Sequence, residues 1–139
     1  ELIARCAAEQ FGGEFDTVTW VPVSKKRLRK RGYDQSELLA RSACRFWDIR
    51  PVRLLEKKVD NPAQSGIHDG AARRANVLGV YEAVGDVAGK RILLIDDICT
   101  TGATLIECTR VLEDAGAEQV VCVAVALTRK ENVHKTATE

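Results

Sequence analysis

The sequence predicts an α/β fold with a mainly parallel β-sheet flanked by helices. Two runs, residues 92–95 and 120–127, are apolar without alternation. Strands covered on both faces read this way, and such strands belong to parallel sheets packed between helices. Segments with helical spacing alternate with strand-like ones along the chain, which is the pattern of α/β domains. One long polar stretch, residues 57–76, interrupts that alternation.

The elements follow in order. Leu2, Ile3, Cys6, Ala7 and Phe11 recur at helical spacing, and Gly12 and Gly13 stop that helix. Residues 17–23 (TVTWVPV) are β-branched and aromatic and form a strand ending near Pro22. Residues 22–32 then read as a loop that contains six basic residues within seven positions. Asp34, followed three residues later by Glu37, opens a helix as its N-cap. Leu39, Ala43, Phe46 and Trp47 supply the buried stripe of that helix. Pro51 closes the connection, and residues 52–55 read as a short strand. The stretch 57–76 contains Asp60-Asn61-Pro62, Gln64, His68, Arg73, Arg74 and Asn76, with little to bury. It reads as a lid, a binding loop or a disordered insert. Residues 77–84 are strand-like, and turns at Gly85 and Gly89 deliver the chain to the central strand. A helix follows with Leu105, Cys108, Val111, Leu112 and Ala115 on one face, capped near Gly116. Residues 120–127 form a last strand, and the polar tail frays.

At 139 residues the chain is expected to be a single domain spanning 1–139, with a core that needs no staples. A net charge of +1 predicts no general attraction to nucleic acid or membrane, so any polyanion contact is local. No apolar run reaches membrane-spanning length, and the N-terminus lacks a signal-peptide layout. Five scattered cysteines without a C-x-x-C pair point to neither a zinc ribbon nor a disulfide framework; buried, reduced thiols and a cytoplasmic location are the expectation. The lack of an initiator Met marks a fragment or a processed chain.

The chemistry concentrates in residues 91–104. After the apolar run come two adjacent acids, Asp96 and Asp97, where the strand should be running out of partners. Thr100, Thr101, Gly102, Ala103 and Thr104 then lead into a helix. A turn of small residues at a helix N-terminus exposes backbone N–H groups to an anion, and the hydroxyls add donors. Carboxylates beside a phosphate site need hydroxyl groups or a divalent cation to face. Phosphate on one side and diol on the other describes a 5-phosphoribosyl group. Ordinary helix capping with helpful acids is the plainer alternative, but adjacent acids ending an apolar strand are costly unless something uses them. No Lys follows Gly102, so this is not a Walker A loop, and no G-x-G-x-x-G occurs in the chain.

The stretch 92–104 resembles the phosphoribosyl pyrophosphate (PRPP) signature of type I phosphoribosyltransferases. The wider pattern Val21-Pro22-Val23-Ser24, then Arg31-Gly32-Tyr33-Asp34-Gln35-Ser36, resembles the ComF (or GntX) branch of that superfamily. Gln64, Arg73 and Asn76, with Gly79-Val80-Tyr81 after them, resemble that branch's variable hood, which places a small flexible hood at about residues 57–80. The resemblance implies that Thr100 to Thr104 bind the 5-phosphate, and that Asp96 and Asp97 serve the catalytic step, holding the ribose and Mg²⁺, the latter through water in one arrangement. It implies that Val23, Ser24, Lys25 and Arg31 contact the pyrophosphate, with a strained non-proline cis peptide sought at Val23, Ser24 or Lys25. Not all six charges of Lys25–Arg31 reach one small anion, so the rest face solvent or a partner.

Departures from the branch are specific. Asp34 stands where Asn is usual, Asn61 where Thr is common, and the four-cysteine N-terminal zinc ribbon of full-length ComF proteins is absent. Purine-salvage relatives often carry an acid at the position of Thr100, and the hood has no evident apolar pocket for a base; both argue against transfer to a free purine or pyrimidine. Two classes of function follow. One is Mg²⁺-dependent phosphoribosyl transfer with pyrophosphate release. The other is a binding module that senses PRPP or assists DNA uptake in natural competence, beside a helicase-like partner. Direct single-stranded DNA binding by Lys25–Arg31 is a weaker variant, since only Tyr33 lies close as a stacking platform. A homodimer is compatible with either class. His68 reads as a polar loop residue ahead of a general base, and Cys99 as a small packing residue.

Overall fold

The computed structural model describes residues 1–11, 15–58 and 78–128. Its element order is α1 (Leu2–Phe11), β1 (Thr17–Trp20), α2 (Lys25–Arg31), α3 (Gln35–Cys44), a 3-10 turn (Arg45–Trp47), β2 (Leu55–Lys57), β3 (Tyr81–Ala83), β4 (Arg91–Cys99), α4 (Ala103–Asp114) and β5 (Gln119–Leu127). Three strands make a parallel sheet in the order β1-β4-β5, and β2 and β3 form a separate antiparallel pair.

The central strand explains the architecture. Ile92, Leu93, Leu94 and Ile95 are wholly buried, which for aliphatic side chains contributes roughly 1.5–3 kcal/mol each. Alternate residues point to opposite faces of a strand, and both faces are covered. Ile92 and Leu94 pack with Cys108, Val111 and Leu112 of α4 and with Leu55 and Tyr81 of the β2–β3 pair. Leu93 and Ile95 pack with Val18 and Trp20 of β1, Ala7 of α1 and Ala40, Ala43 and Cys44 of α3. A strand with two apolar faces and no alternation is what this sandwich requires.

Several boundaries differ from the sequence expectation. β1 stops at Trp20 instead of running to residue 23, because Pro22 offers no N–H to a ladder. The strand expected at 52–55 lies at Leu55–Lys57, and the one expected at 77–84 shrinks to Tyr81–Ala83; their antiparallel pairing sets both. The basic run is not a loop. It forms the helix α2, with Ser24 as N-cap accepting from Arg27 N–H at 3.2 Å and Gly32 closing it at φ 81°. In α1 the buried positions are Ala4 and Ala7, whereas Leu2 and Cys6 are exposed. In α3 the stripe is Ser36, Ala40, Ala43 and Cys44. Phe46 turns outward at 57 % exposure on the 3-10 turn, while Trp47 meets Phe15 edge-on at 5.1 Å between centroids. β5 begins one residue early, and its far end, Val125 to Leu127, is exposed, so it is not covered on both faces among the described residues. All five thiols are free; Cys44 and Cys108 are buried. The stop at Gly12 and Gly13, the stretch 59–77 and the tail from residue 129 lie outside the described residues.

Candidate functional site

The crevice arises where β4 outruns β1. Pairing with β1 ends at Trp20 and Ile95, with a last hydrogen bond from Val21 N–H to the Ile95 carbonyl. β4 continues through Asp96, Asp97 and Ile98 with only β5 beside it, as far as Cys99 opposite Leu127. The acids thus sit inside the strand rather than after it, on the edge that β1 has left. The chain after β1 swings away at Pro22 into α2, and a cleft of ≈ 230 Å³ opens between them. It is lined by Val23, Arg27, Arg31 and Ser36, by the acids Asp96 and Asp97, and by Thr100, Thr104, Lys57 and Tyr81. Ligands of open parallel sheets bind at this end, beyond the carboxyl ends of the strands. An apolar groove of ≈ 250 Å³ near Leu2, Leu39 and Val125 has no converging charged groups and is not the chemical centre.

The turn Thr100 to Thr104 leads directly into α4. A small recess adjoining the cleft is lined by residues including Thr100, Thr101, Gly102, Ala103 and Thr104, together with Asp96 and Cys99. Gly102, at φ 79°, is the N-cap of α4 and supplies no side-chain cap. Thr101 Oγ1 accepts from Ala103 N–H at 3.3 Å, and Ile106 N–H bonds the Gly102 carbonyl at 2.9 Å. The helix itself offers no acceptor to the N–H groups of Thr104 and Leu105, and the positive end of its dipole lies at this recess.

Asp96 is almost fully buried, at 7 % exposure. Its Oδ1 accepts from Asp97 N–H at 2.8 Å and from the Ser36 hydroxyl at 3.2 Å. Burial, and then the neighbouring Asp97 carboxyl, push its pKa up to about 7. A carboxylate so raised gains from any ligand hydroxyl or cation that favours its charged form. Among the described residues no group of three or more His, Cys, Asp or Glu gathers to cage a metal. Two adjacent carboxylates nonetheless fit Mg²⁺, which is commonly held by one or two carboxylates, waters and the phosphates of its substrate.

The arm opposite sorts its cations by helical position. Arg27 and Arg31, one turn apart, line the cleft. Lys25 instead pairs with Glu56 of β2 at 2.8 Å, a bond that lowers the pKa of Glu56; it is not on the cleft wall. Ser24 caps α2 with its hydroxyl, and Val23 N–H donates to Asp34 Oδ2 at 3.1 Å. The described peptide bonds are all trans, Val23 to Lys25 included, so the cis bond sought there is absent. Gln64, Arg73 and Asn76, with His68, lie outside the described residues.

Four cleft residues escape the sequence reading. Arg27 was hidden among six cations until the run proved helical. Ser36 looked like a capping residue of α3. Lys57 and Tyr81 reach the cleft from the antiparallel pair, with Lys57 Nζ 5.9 Å from the Tyr81 ring centroid. Burial drives the Tyr81 hydroxyl pKa upward. Their alternation in short strands signals a buried face but does not say which site it meets. Glu107 was also missed. It is buried, accepts from Gly79 N–H at 3.1 Å and holds Arg110 at 2.6 and 2.9 Å, tying the start of β3 to α4.

Comparison with known proteins bears on the family and the fold. The profile described as "Phosphoribosyl transferase domain" matches residues 29–139. Competence protein ComFC of Streptococcus pneumoniae is 36% identical over 100 residues, covering 72% of this chain and 43% of that protein. Competence protein F of Haemophilus influenzae is 31% identical over 104 residues, covering 72% of this chain and 45% of its own length. The chain therefore spans less than half the length of these two relatives. Among solved structures, the glutamine PRPP amidotransferase from B. subtilis, complexed with ADP and GMP, superimposes with a TM-score of 0.57 at 26% identity, over 88% of this chain and 25% of that one. No helix among the described residues is long and apolar enough to cross a membrane. With its parallel sheet, open helix N-terminus and acid pair in one cleft, the chain belongs to the phosphoribosyl transferase domain family.

Proposed function

We propose that this chain binds PRPP and supports Mg²⁺-dependent transfer of its phosphoribosyl group with release of pyrophosphate. The observation that carries the reading is convergence on one cleft: Thr100 and Thr104 of the turn into α4, the acids Asp96 and Asp97, and Arg27 and Arg31 all line it. PRPP carries a phosphate, a diol and a pyrophosphate, one group for each of these sets.

In the proposed reaction the C1–oxygen bond to pyrophosphate breaks and the electron pair leaves with pyrophosphate. A nucleophile bonds to C1 and gives up its proton. The protein's own work is positional and electrostatic. The amides and hydroxyls of the Thr100 to Thr104 turn anchor the 5-phosphate. Asp96 and Asp97 accept from the ribose hydroxyls and favour positive charge developing at the sugar. Arg27 and Arg31 face the leaving group. Mg²⁺, held by Asp96 and Asp97 directly or through water, would neutralise pyrophosphate charge when bound. Hydrolysis is suppressed only if water is excluded, the role we assign to the hood segment with Gln64, Arg73 and Asn76. The relatives named competence proteins support a place in natural competence; a helicase-like partner, single-stranded DNA and a homodimer are proposed from the sequence resemblance alone.

A second reading, a module that binds PRPP without turnover, is favoured by one observation. The described cleft presents threonine at position 100 and no His beside Asp96 and Asp97, so an acceptor's proton would fall to a carboxylate that this reading also gives to the ribose. Assay of pyrophosphate release from PRPP with Mg²⁺, across amines and nucleobases, separates the two. Turnover supports transfer, saturable binding without turnover supports the module, and absence of binding rejects both.

A further inference from the structure

We propose that Ser36 is a positioning residue that registers the acid pair against the basic arm, so that sugar and pyrophosphate are held at one spacing. This rests on the phosphoribosyl reading above. Ser36 is the second residue of α3, and its N–H is already taken by the Asp34 cap at 3.0 Å. The helix has no use for the hydroxyl, since Ala is the better helix former and a buried hydroxyl costs free energy unless bonded. The hydroxyl goes instead to Asp96 Oδ1, 60 positions away in sequence.

That bond is one link of a buried chain. Asp97 N–H meets the same oxygen of Asp96 from the other side, so the Asp96 carboxyl is oriented by two donors. On the far side of Ser36, Asp34 Oδ1 accepts from Ser36 and Glu37 N–H, and Asp34 Oδ2 accepts from Val23 N–H. Val23 and Ser24 lead directly into α2, which carries Arg27 and Arg31 to the cleft. Asp34, Ser36 and Asp96 are each less than a tenth exposed. Removing the Ser36 hydroxyl therefore frees Asp96 from the segment that sets the position of the arginines, while leaving each half of the site chemically intact.

The test is titration of the full chain with PRPP plus Mg²⁺ and, separately, with inorganic pyrophosphate plus Mg²⁺. Ser36→Ala is expected to lower PRPP affinity about tenfold, the loss typical of one charge-assisted hydrogen bond, while pyrophosphate affinity stays within about twofold. In an Asp96→Ala background, which removes the acceptor of the Ser36 hydroxyl, the same change is expected to add less than about twofold, because the two side chains act as one unit. Ser36→Thr keeps the hydroxyl and is expected to hold PRPP affinity within about threefold. A purely structural Ser36 predicts equal loss for both ligands, and that result, or no loss for PRPP, overturns the proposal. Wild-type protein that binds pyrophosphate but not PRPP overturns the phosphoribosyl reading itself.

Discussion

Replacing Asp96 by Asn exposes the cost of keeping a carboxylate inside this cleft. Burial, followed by the Asp97 carboxyl, raises the Asp96 pKa from 3.8 to about 7. A group whose folded-state pKa is raised stabilises the fold fully below its unfolded value, and that stability is lost as pH climbs to the folded value. For Asp96 the window runs from about pH 4 to about pH 7. At 1.36 kcal/mol per unit, the upper limit is on the order of 4 kcal/mol, and relaxation of the site brings the expected loss to about 1–3 kcal/mol. Asn keeps the shape, and its Oδ1 still accepts from Ser36 Oγ and Asp97 N–H, but it cannot ionise. Urea denaturation at pH 5 and pH 8 reads the difference. The ligand-free wild type is expected to lose about 1–3 kcal/mol more between those pH values than Asp96→Asn. The variant should also be the more stable protein at pH 8 and bind PRPP at least about tenfold more weakly, since stability and function oppose each other at a strained site. Identical pH dependence in both proteins, or a variant destabilised at pH 8, refutes the claim that a buried charge is held there for use.

Other perturbations separate site from scaffold. Arg27→Ala is expected to weaken PRPP or pyrophosphate binding by about 10–100-fold, as loss of a charge-assisted contact does, whereas Lys25→Ala, which breaks only the partly exposed pair with Glu56, should change it less than about threefold; isothermal titration distinguishes them. Gly102→Ala has room for its Cβ, with Ile106 Cδ1 at 3.9 Å, but must adopt φ 79°; a loss of about 1 kcal/mol in stability is expected, with weaker phosphate binding in the same titration. Glu107→Ala leaves Gly79 N–H without its acceptor and Arg110 with Asp114 alone, and should cost about 1–3 kcal/mol in urea denaturation, with faster hydrogen exchange at Gly79.

Residues 91–104 were legible because their information is local. An unbroken apolar run demands cover on both faces, two acids at its end demand a ligand, and a small-residue turn before a helix leaves amides open. Asp34 as N-cap was legible for the same reason, although Glu37 pairs with Arg41 at 2.7 Å instead of returning to the cap. What composition and spacing left undecided was direction. Six cations within seven positions gave no means of choosing Arg27 over Lys25 until the run wound into a helix, which puts Arg27 and Arg31 on the cleft and Lys25 beside Glu56. Ser36 read as part of a cap until packing of α3 against β4 brought its hydroxyl to Asp96. The outward turn of Phe46 and the bare end of β5 likewise depend on which neighbour arrives. Local sequence determined the central strand and the turn of small residues that opens α4, since each rests on backbone geometry within a few residues. Only the tertiary structure decided which remote side chains complete the cleft, because those contacts depend on how separate elements pack.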